Sequence, residues 1–477
     1  MIEIRIFLWV CLLAFAPLSA AAQSTLTQAR WIQHLKEDLI PFWTTPDALG
    51  DPVGLYPSMR CNDGSAFDEQ SPCPEIASIK WMTPDQKFII VLSRQAYAYL
   101  VMFHMTGDRK YLELGKAGVD FILKDARDEL GGTYERYDID AELWWHEDGR
   151  FNIQKQSYAL LAPAFYYYLT RDLAVFAEIE EIRQSILSLH KLDDAGHYAW
   201  KRKGESEKAR RFAIMAYLDQ LNTFYTLLAP IAPQPLRAAW LAETDGISRN
   251  LRDFFLQEET QLFHLSGAKQ RGEKGRPKAD FGHAVKSHWF LIMNGQLAND
   301  QLRIEASREG GMKVLNSSFN RKAGAWSNGF RKTGKPYKRR DSWIFAEQNQ
   351  LIASLALTEP RLQGVLAKTY GYWLRTFVDK ENGGIFDAVN LKGKPITKSG
   401  KPKHWAWKSG FHEFEHALVA YITSSQFEGK PLRLHYALVQ ELEEDELNPY
   451  FYRPRLDSLT DQAPGLQVAT FNRITFP

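Results

Sequence analysis

The sequence predicts an all-α fold, and three observations predict it. Apolar residues recur at three- and four-residue spacing in twelve segments, near residues 25–39, 84–106, 109–124, 153–170, 173–189, 208–230, 235–255, 283–297, 299–316, 342–357, 360–377 and 409–423. The connections alternate in length: short links such as TGDRKY, TRD, NDQ and TEPR follow every second helix, and longer ones follow the others. Five long connections carry a small turn and then aromatic alternation: GGTYERYD from Gly131, GHYAWKRK from Gly196, TQLFHLSG from Thr260, GAWSNGF from Gly324 and GGIFDAVN from Gly383. Such alternation describes helical hairpins whose long loops emerge at one end. Six hairpins in a ring make an (α/α)6 barrel with short β-hairpin excursions at that end. A solenoid of helical pairs is the rival, but unequal loops and the lack of a strict period favour closure.

Residues 1–22 place Arg5 before an apolar run and end in Ala20-Ala21-Ala22, the pattern of a secretory signal peptide cut before Gln23. The run is shorter than the roughly 20 residues a helix needs to cross a bilayer. The mature protein is therefore expected to be periplasmic or secreted, without a membrane span. Residues 23–425 are expected to form the barrel. Residues 426–477, which lose helical periodicity after Glu443, are expected to pack over it as an extension or to be partly mobile. Cys11 leaves with the leader, so Cys61 and Cys73 remain and are expected to form one disulfide in an oxidising compartment. A metal site at this pair is disfavoured, because no histidine or third cysteine lies close in sequence. The net charge of +2 argues against a general nucleic-acid binder. A monomer or homodimer is expected. Most aromatic residues, including Tyr158, Phe165 and Tyr166 to Tyr168 at helical spacing, read as core.

Two histidines are placed alike. His283 in DFGHAVKSHWF and His412 in KHWAWKSGFHEFEHA each open an apolar helical run after a long basic loop. In a closed ring the helices that follow long loops form the inner layer, so both imidazoles would line one cavity. Two groups titrating near neutrality can take a proton from one face of a carbon and return it on the other.

Five motifs extend this reading: LSRQAYAYLVMFHMTGDRKYLELG from Leu92, KQSYALLAPAFYYYLTRD from Lys155, GHAVKSHW from Gly282, DSWIFAEQNQL from Asp341, and VDKENGGIFDAVNLKGKP from Val378 leading to WKSGFHEFEHAL. In this order they resemble the N-acylglucosamine 2-epimerase superfamily, whose cellobiose 2-epimerases and aldose–ketose isomerases are (α/α)6 barrels. The resemblance implies catalytic roles for His283 and His412. It implies substrate contacts from Arg94 and from Trp343 and Glu347 as the WxxAE pair; Gln156, Lys286 and Trp407, within the quoted stretches, are further candidate substrate contacts. It further implies a mono- or oligosaccharide substrate and no cofactor. The chain departs from the pattern twice. Lys286 stands where GHxxExxW has glutamate, and Ala216 in MAYLDQL stands where a further family histidine is expected. A cation at 286 is expected to depress the pKa of the neighbouring imidazole.

The chemistry implied is removal of the proton at C2 of an open-chain aldose and stabilisation of the enediolate, with Arg94 and Lys286 holding the oxyanion. Return of the proton to C2 gives an epimer; return to C1 gives a ketose. Three other readings stand beside this one. The string HEFEH puts His412 and His416 one turn apart with Glu413 as general base, the arrangement of zinc peptidases, with Glu441 or Glu443 as third ligand. Asp138, Asp219, Asp341 and Glu347 supply carboxylates for a hydrolase or lyase on the same barrel. Loss of glutamate at 286 fits a noncatalytic sugar binder. Finally, basic loops from Lys269, between Arg321 and Arg340, and from Lys392 would surround the open end with positive potential and attract an anionic saccharide.

Overall fold

The computed structural model of the protein describes residues 23–146, 152–202, 213–265, 279–331, 334–398, 400–442 and 446–477. The expected leader, the basic loop from Lys269 and Glu443 lie outside the described residues. Inner helices Ile89–Thr106, 153–170, 215–228, Phe281–Leu297, Ser342–Leu355 and Phe411–Phe427 touch one another in that order, and the last returns to the first. That contact closes the ring and excludes a solenoid. An outer helix packs on each inner one; the first, 28–43, packs on the last inner helix and completes the sixth hairpin.

Burial follows from the sequence of each layer. The outer helix Arg109–Asp120 buries only Tyr111, Gly115, Gly118 and Val119, one stripe at helical spacing. The inner helix Ile89–Thr106 buries every residue except its last, as expected of a helix wrapped on all sides. A Cβ on Gly118 would stand 2.8 Å from the Ala96 Cβ, so the two layers meet at glycine there.

Three of the short links share one device. Gly107, Arg171 and Asn299 adopt left-handed φ values of 74°, 57° and 54° and end an inner helix. The aspartate that follows each one, Asp108, Asp172 or Asp300, caps the next helix by accepting from Lys110 N, Ala174 N or Arg303 N. A sharp stop followed at once by a cap leaves no slack, and the hairpin folds back on itself.

The long loops gather at the opposite end, where the inner helices begin. They carry the short antiparallel pairings of 136–138 with both 86–88 and 143–145, of 256–257 with 262–263, of 319–320 with 325–326, and of 339–341 with 388–390. The stretch from Gly196 makes only single bridges, Lys191 to Tyr198 and Asn152 to Lys201. Cys61 and Cys73 are disulfide-bonded with Cα atoms 6.0 Å apart. Their segment is tied to the same end by Arg60, which donates to His404 Nδ1 at 3.1 Å and to the Phe42 carbonyl at 3.1 Å. After the last helix the chain forms a three-stranded antiparallel sheet of Leu432–Tyr436, Leu466–Thr475 and Arg453–Ala463, with Leu466–Thr475 central. This sheet packs against the C-terminal ends of the inner helices, where the His104 ring meets the His435 carbonyl at 2.8 Å. No helix among the described residues is long and apolar enough to cross a membrane.

Candidate active site

His283 is fixed by the start of its own helix. Asp280 is the N-cap of Phe281–Leu297, and its Oδ1 accepts from His283 N at 2.8 Å while its Oδ2 meets His283 Nδ1 at 2.7 Å. One carboxylate thus caps the helix and orients the ring. With Nδ1 committed, Nε2 is the nitrogen left for a ligand. Burial pushes the His283 pKa down, but Asp280, by charge and hydrogen bond, and Asp219 outweigh it, and the net shift is upward. The depression expected from Lys286 is present as a contribution and is overridden. Asp280, whose signal was the Asp-x-x-His spacing of a capped helix start, decides the sign.

His412 has the opposite environment. Its helix begins after Gly410, whose φ of 90° and close approach to the Ala98 Cβ, 3.1 Å from a would-be Cβ, call for glycine. His412 Nδ1 lies 3.1 Å from Glu347 Oε1, and the same oxygen lies 3.0 Å from Lys286 Nζ. These are charge-pair distances rather than aligned hydrogen bonds, and both Glu347 oxygens are free of directed partners. Burial lowers the His412 pKa to about 4; Glu347 opposes this, and Lys286 adds to it. For Lys286 itself, desolvation is outweighed by the charge of Glu347, and its pKa is raised. Glu347 stays ionised because the Lys286 charge and His412 overcome the cost of burying it. The glutamate-to-lysine departure is therefore answered within the site by the WxxAE glutamate.

The Trp343 indole joins the two histidines, with ring centroids 4.9 Å from His283 and 5.8 Å from His412. Arg94 is buried, its guanidinium 4.0 Å over the Tyr158 ring, and its Nη1 donates to the Trp407 carbonyl at 3.2 Å. Its Nε has no partner. Arg94, Ser342, Trp343, Trp407, Phe411 and His412 line one small cavity. Asp219, one turn past Ala216, accepts from Gln154 at 2.8 Å. Burial raises its pKa, against the pull of Lys286, His283 and Arg94, so it shares the electrostatics of this group. Gln156 stands apart. Its amide is consumed by Thr133, accepting from the backbone N–H at 2.9 Å and donating to the carbonyl at 2.6 Å. It anchors a loop rather than presenting a free group.

The peptidase arrangement does not assemble. His416 is walled in by Trp31, Tyr370 and Trp373, and its Nε2 meets the Asn349 amide at 3.1 Å. Glu413 turns to Lys408 and to the Trp43 indole, 2.6 Å away. Among the described residues no group of metal-ligating atoms combines His412 with His416. The cluster that does form, Glu347, His412 and Glu415 within 4.8 Å of one another, already holds the Lys286 ammonium against Glu347. Of the hydrolase carboxylates, Asp138 caps a turn at Ala141 N and Asp341 pairs with Arg339 at 2.9 Å, while Glu347 is paired with Lys286 and Asp219 accepts from Gln154. A roomier groove at the other end of the barrel, near Arg171, Thr226, Met293 and Tyr452, contains none of the expected site residues.

Comparison with known proteins identifies the fold and the family. No curated protein matches the chain in sequence. Among solved structures, the cellobiose 2-epimerase of Spirochaeta thermophila DSM 6192 superposes with a TM-score of 0.67 at 17% identity, over 84% of this chain and 97% of that one. A D-mannose isomerase gives 0.68 at 12% identity, over 84% and 99%. The unsaturated glucuronyl hydrolase of Bacillus sp. GL1 gives 0.56 at 12% identity, over 82% and 96%. At these identities the likeness is one of fold. The family model for N-acylglucosamine 2-epimerase matches residues 78–409, spanning Arg94, His283, Trp343 and Glu347 and ending just before His412. On that match the chain belongs to the N-acylglucosamine 2-epimerase family.

Proposed function

We propose that the protein is an exported sugar 2-epimerase or aldose–ketose isomerase that moves the C2 proton of an open-chain aldose through an enediolate. The observation that carries this reading is the opposed setting of two imidazoles across one indole. His283 is held towards its protonated form by Asp280, and His412 is held neutral by burial and Lys286. Shifted in opposite directions, one imidazole favours the acid form and the other the base, the division that proton transfer at a carbon requires. Neutral His412 takes the proton, His283 supplies one, and Arg94 with Lys286 stabilises the oxyanion. Trp343 supplies an apolar face against which a sugar ring packs.

Export is supported by the leader pattern and by the Cys61–Cys73 disulfide, which suits an oxidising compartment. An anionic saccharide is supported by Arg94, while the Lys286 charge is already paired with Glu347. The basic loops add less, because Arg339, Lys401 and Lys403 pair with Asp341, Asp387 and Asp379, and Arg340 is spent on backbone carbonyls. Incubation of mannose, glucose, cellobiose and glucuronate with the enzyme in heavy water tests the reading. Deuterium is expected at C2 of the epimer or C1 of the ketose, unchanged by chelator. Hydrolysis without exchange, or exchange abolished by chelator and restored by zinc, overturns it. A steeper loss of turnover with salt for glucuronate than for the neutral sugars would support the anionic substrate; equal responses would remove it.

A further inference from the structure

The segment after the barrel reaches the floor of the site. Tyr450, 35 residues beyond Glu415, donates its hydroxyl to Glu415 Oε1 at 2.7 Å. Tyr450 is itself held: its backbone N–H donates to the Tyr168 hydroxyl at 2.8 Å, and the Tyr97 hydroxyl lies 3.4 Å from its own. Glu415 is fully buried; its Oε2 makes no aligned hydrogen bond, and the Gln350 amide lies against its carboxylate. One carboxylate oxygen of Glu415 lies within 4.8 Å of both Glu347 and His412.

We propose that Glu415, held by Tyr450, is a positioning residue whose charge tunes the proton affinity of His412, so that the C-terminal segment completes the site from below. Two carboxylates and one ammonium share this buried cluster. Lys286 balances Glu347, so a charge on Glu415 is uncompensated. The groups facing Glu415 are Glu347 and Gln350 from Ser342–Leu355, Lys286 from Phe281–Leu297, Tyr97 from Ile89–Thr106, His412 on its own helix, and Tyr450 and Tyr452. Burial first and the Glu347 charge next raise the Glu415 pKa to about 7, with Lys286 and the Tyr450 hydrogen bond opposing. Below that pH Glu415 is a neutral acid and His412 is left a free base. Above it, a second negative charge beside His412 raises the imidazole's proton affinity. Its consequence for turnover rests on the epimerase or isomerase reading; its test does not.

The test is an NMR titration of the full-length protein without substrate, with δ-13C glutamate and 15N-imidazole labels. The wild type is expected to show one carboxyl titrating near neutrality and an inflection of the His412 resonance at the same pH. Glu415→Gln should remove both. Tyr450→Phe should move the carboxyl upward by about one pH unit, roughly tenfold in proton affinity, because a bond that favours the ionised form is lost. Absence of a carboxyl titrating above pH 6 in the wild type overturns the proposal without recourse to any variant. So does a His412 curve that is the same in folded Glu415→Gln, or a Glu415 titration unmoved in folded Tyr450→Phe.

Discussion

Lys286 and Glu347 form a buried ion pair, Nζ to Oε1 at 3.0 Å, with side chains 4% and 0% exposed. Neither charge reaches solvent, so each depends on the other. Replacing Lys286 with Met should cost about 3–5 kcal/mol in denaturant unfolding, because Glu347 is left buried and unpaired. The double variant Lys286→Met with Glu347→Gln should recover much of that loss. Additive losses in the two single variants and the double would show that the residues are not coupled.

Asp280→Asn separates the two tasks of the cap. Asparagine caps as well as aspartate, so unfolding stability should change by only a few tenths of a kcal/mol. The carboxylate that raises the His283 pKa is gone, however, and the imidazole should titrate below its ordinary value of 6.5. A histidine-selective NMR titration reads this directly. A His283 resonance that keeps its wild-type pKa would show that Asp280 does not hold the charge.

His283→Asn and His412→Asn should each reduce C2 proton exchange by roughly 10²–10⁴-fold. Circular dichroism should find both folded, since neither side chain belongs to the apolar core. A variant retaining near wild-type exchange would remove that histidine from the chemistry.

Acid should destabilise the fold through its buried imidazoles. Burial lowers the pKa of His104 to about 3, of His288 and His412 to about 4, and of His404 and His416 well below 6.5. The unfolded chain binds these protons at pH 6.5 and the folded chain does not. Stability is therefore full above about pH 6.5 and falls as the pH drops through 6 towards 4, each imidazole adding about 1.4 kcal/mol per pH unit. His34 and His435, also lowered by burial, add to this slope, while His283 and the carboxyls of Glu135, Asp219, Asp341, Glu413 and Glu415, all raised, act in the opposite sense, so the measured slope is the net of the two sets. Thermal melts from pH 7.5 to 4.5 check the slope, and a flat profile would contradict it.

Cys61→Ser with Cys73→Ser should lower stability by about 3 kcal/mol under non-reducing conditions, the chain-entropy value for so short a loop. Equal midpoints with and without reductant in the wild type would contradict this.

The helices, their pairing and the placing of His283 and His412 at inner-helix starts were legible in the sequence, because each rests on local information. Helical periodicity marks a face, a short link marks a tight hairpin, and a long loop marks the end from which an inner helix departs. The Asp280 cap was legible in the same way, three residues from His283, and was missed. Glu415 sits on the His412 face one turn on, yet HEFEH drew attention to His416, which tertiary packing buries among Trp31, Tyr370 and Trp373. Gln156 lay in a matching motif and spends its amide on Thr133.

Only the closed barrel decided the charges. Lys286 read alone beside His283 is a cation that lowers an imidazole's pKa. Lys286 read with Glu347 on the neighbouring inner helix is half of an ion pair, and Asp280 then governs His283 while burial governs His412. Tyr450 could not be placed at all from the sequence, since nothing local joins it to Glu415 across a separation of 35 residues. Periodicity and capping act over a few residues and are written in order along the chain. Burial and Coulomb interaction act between residues that the fold brings together, and their outcome is fixed only once the ring is closed.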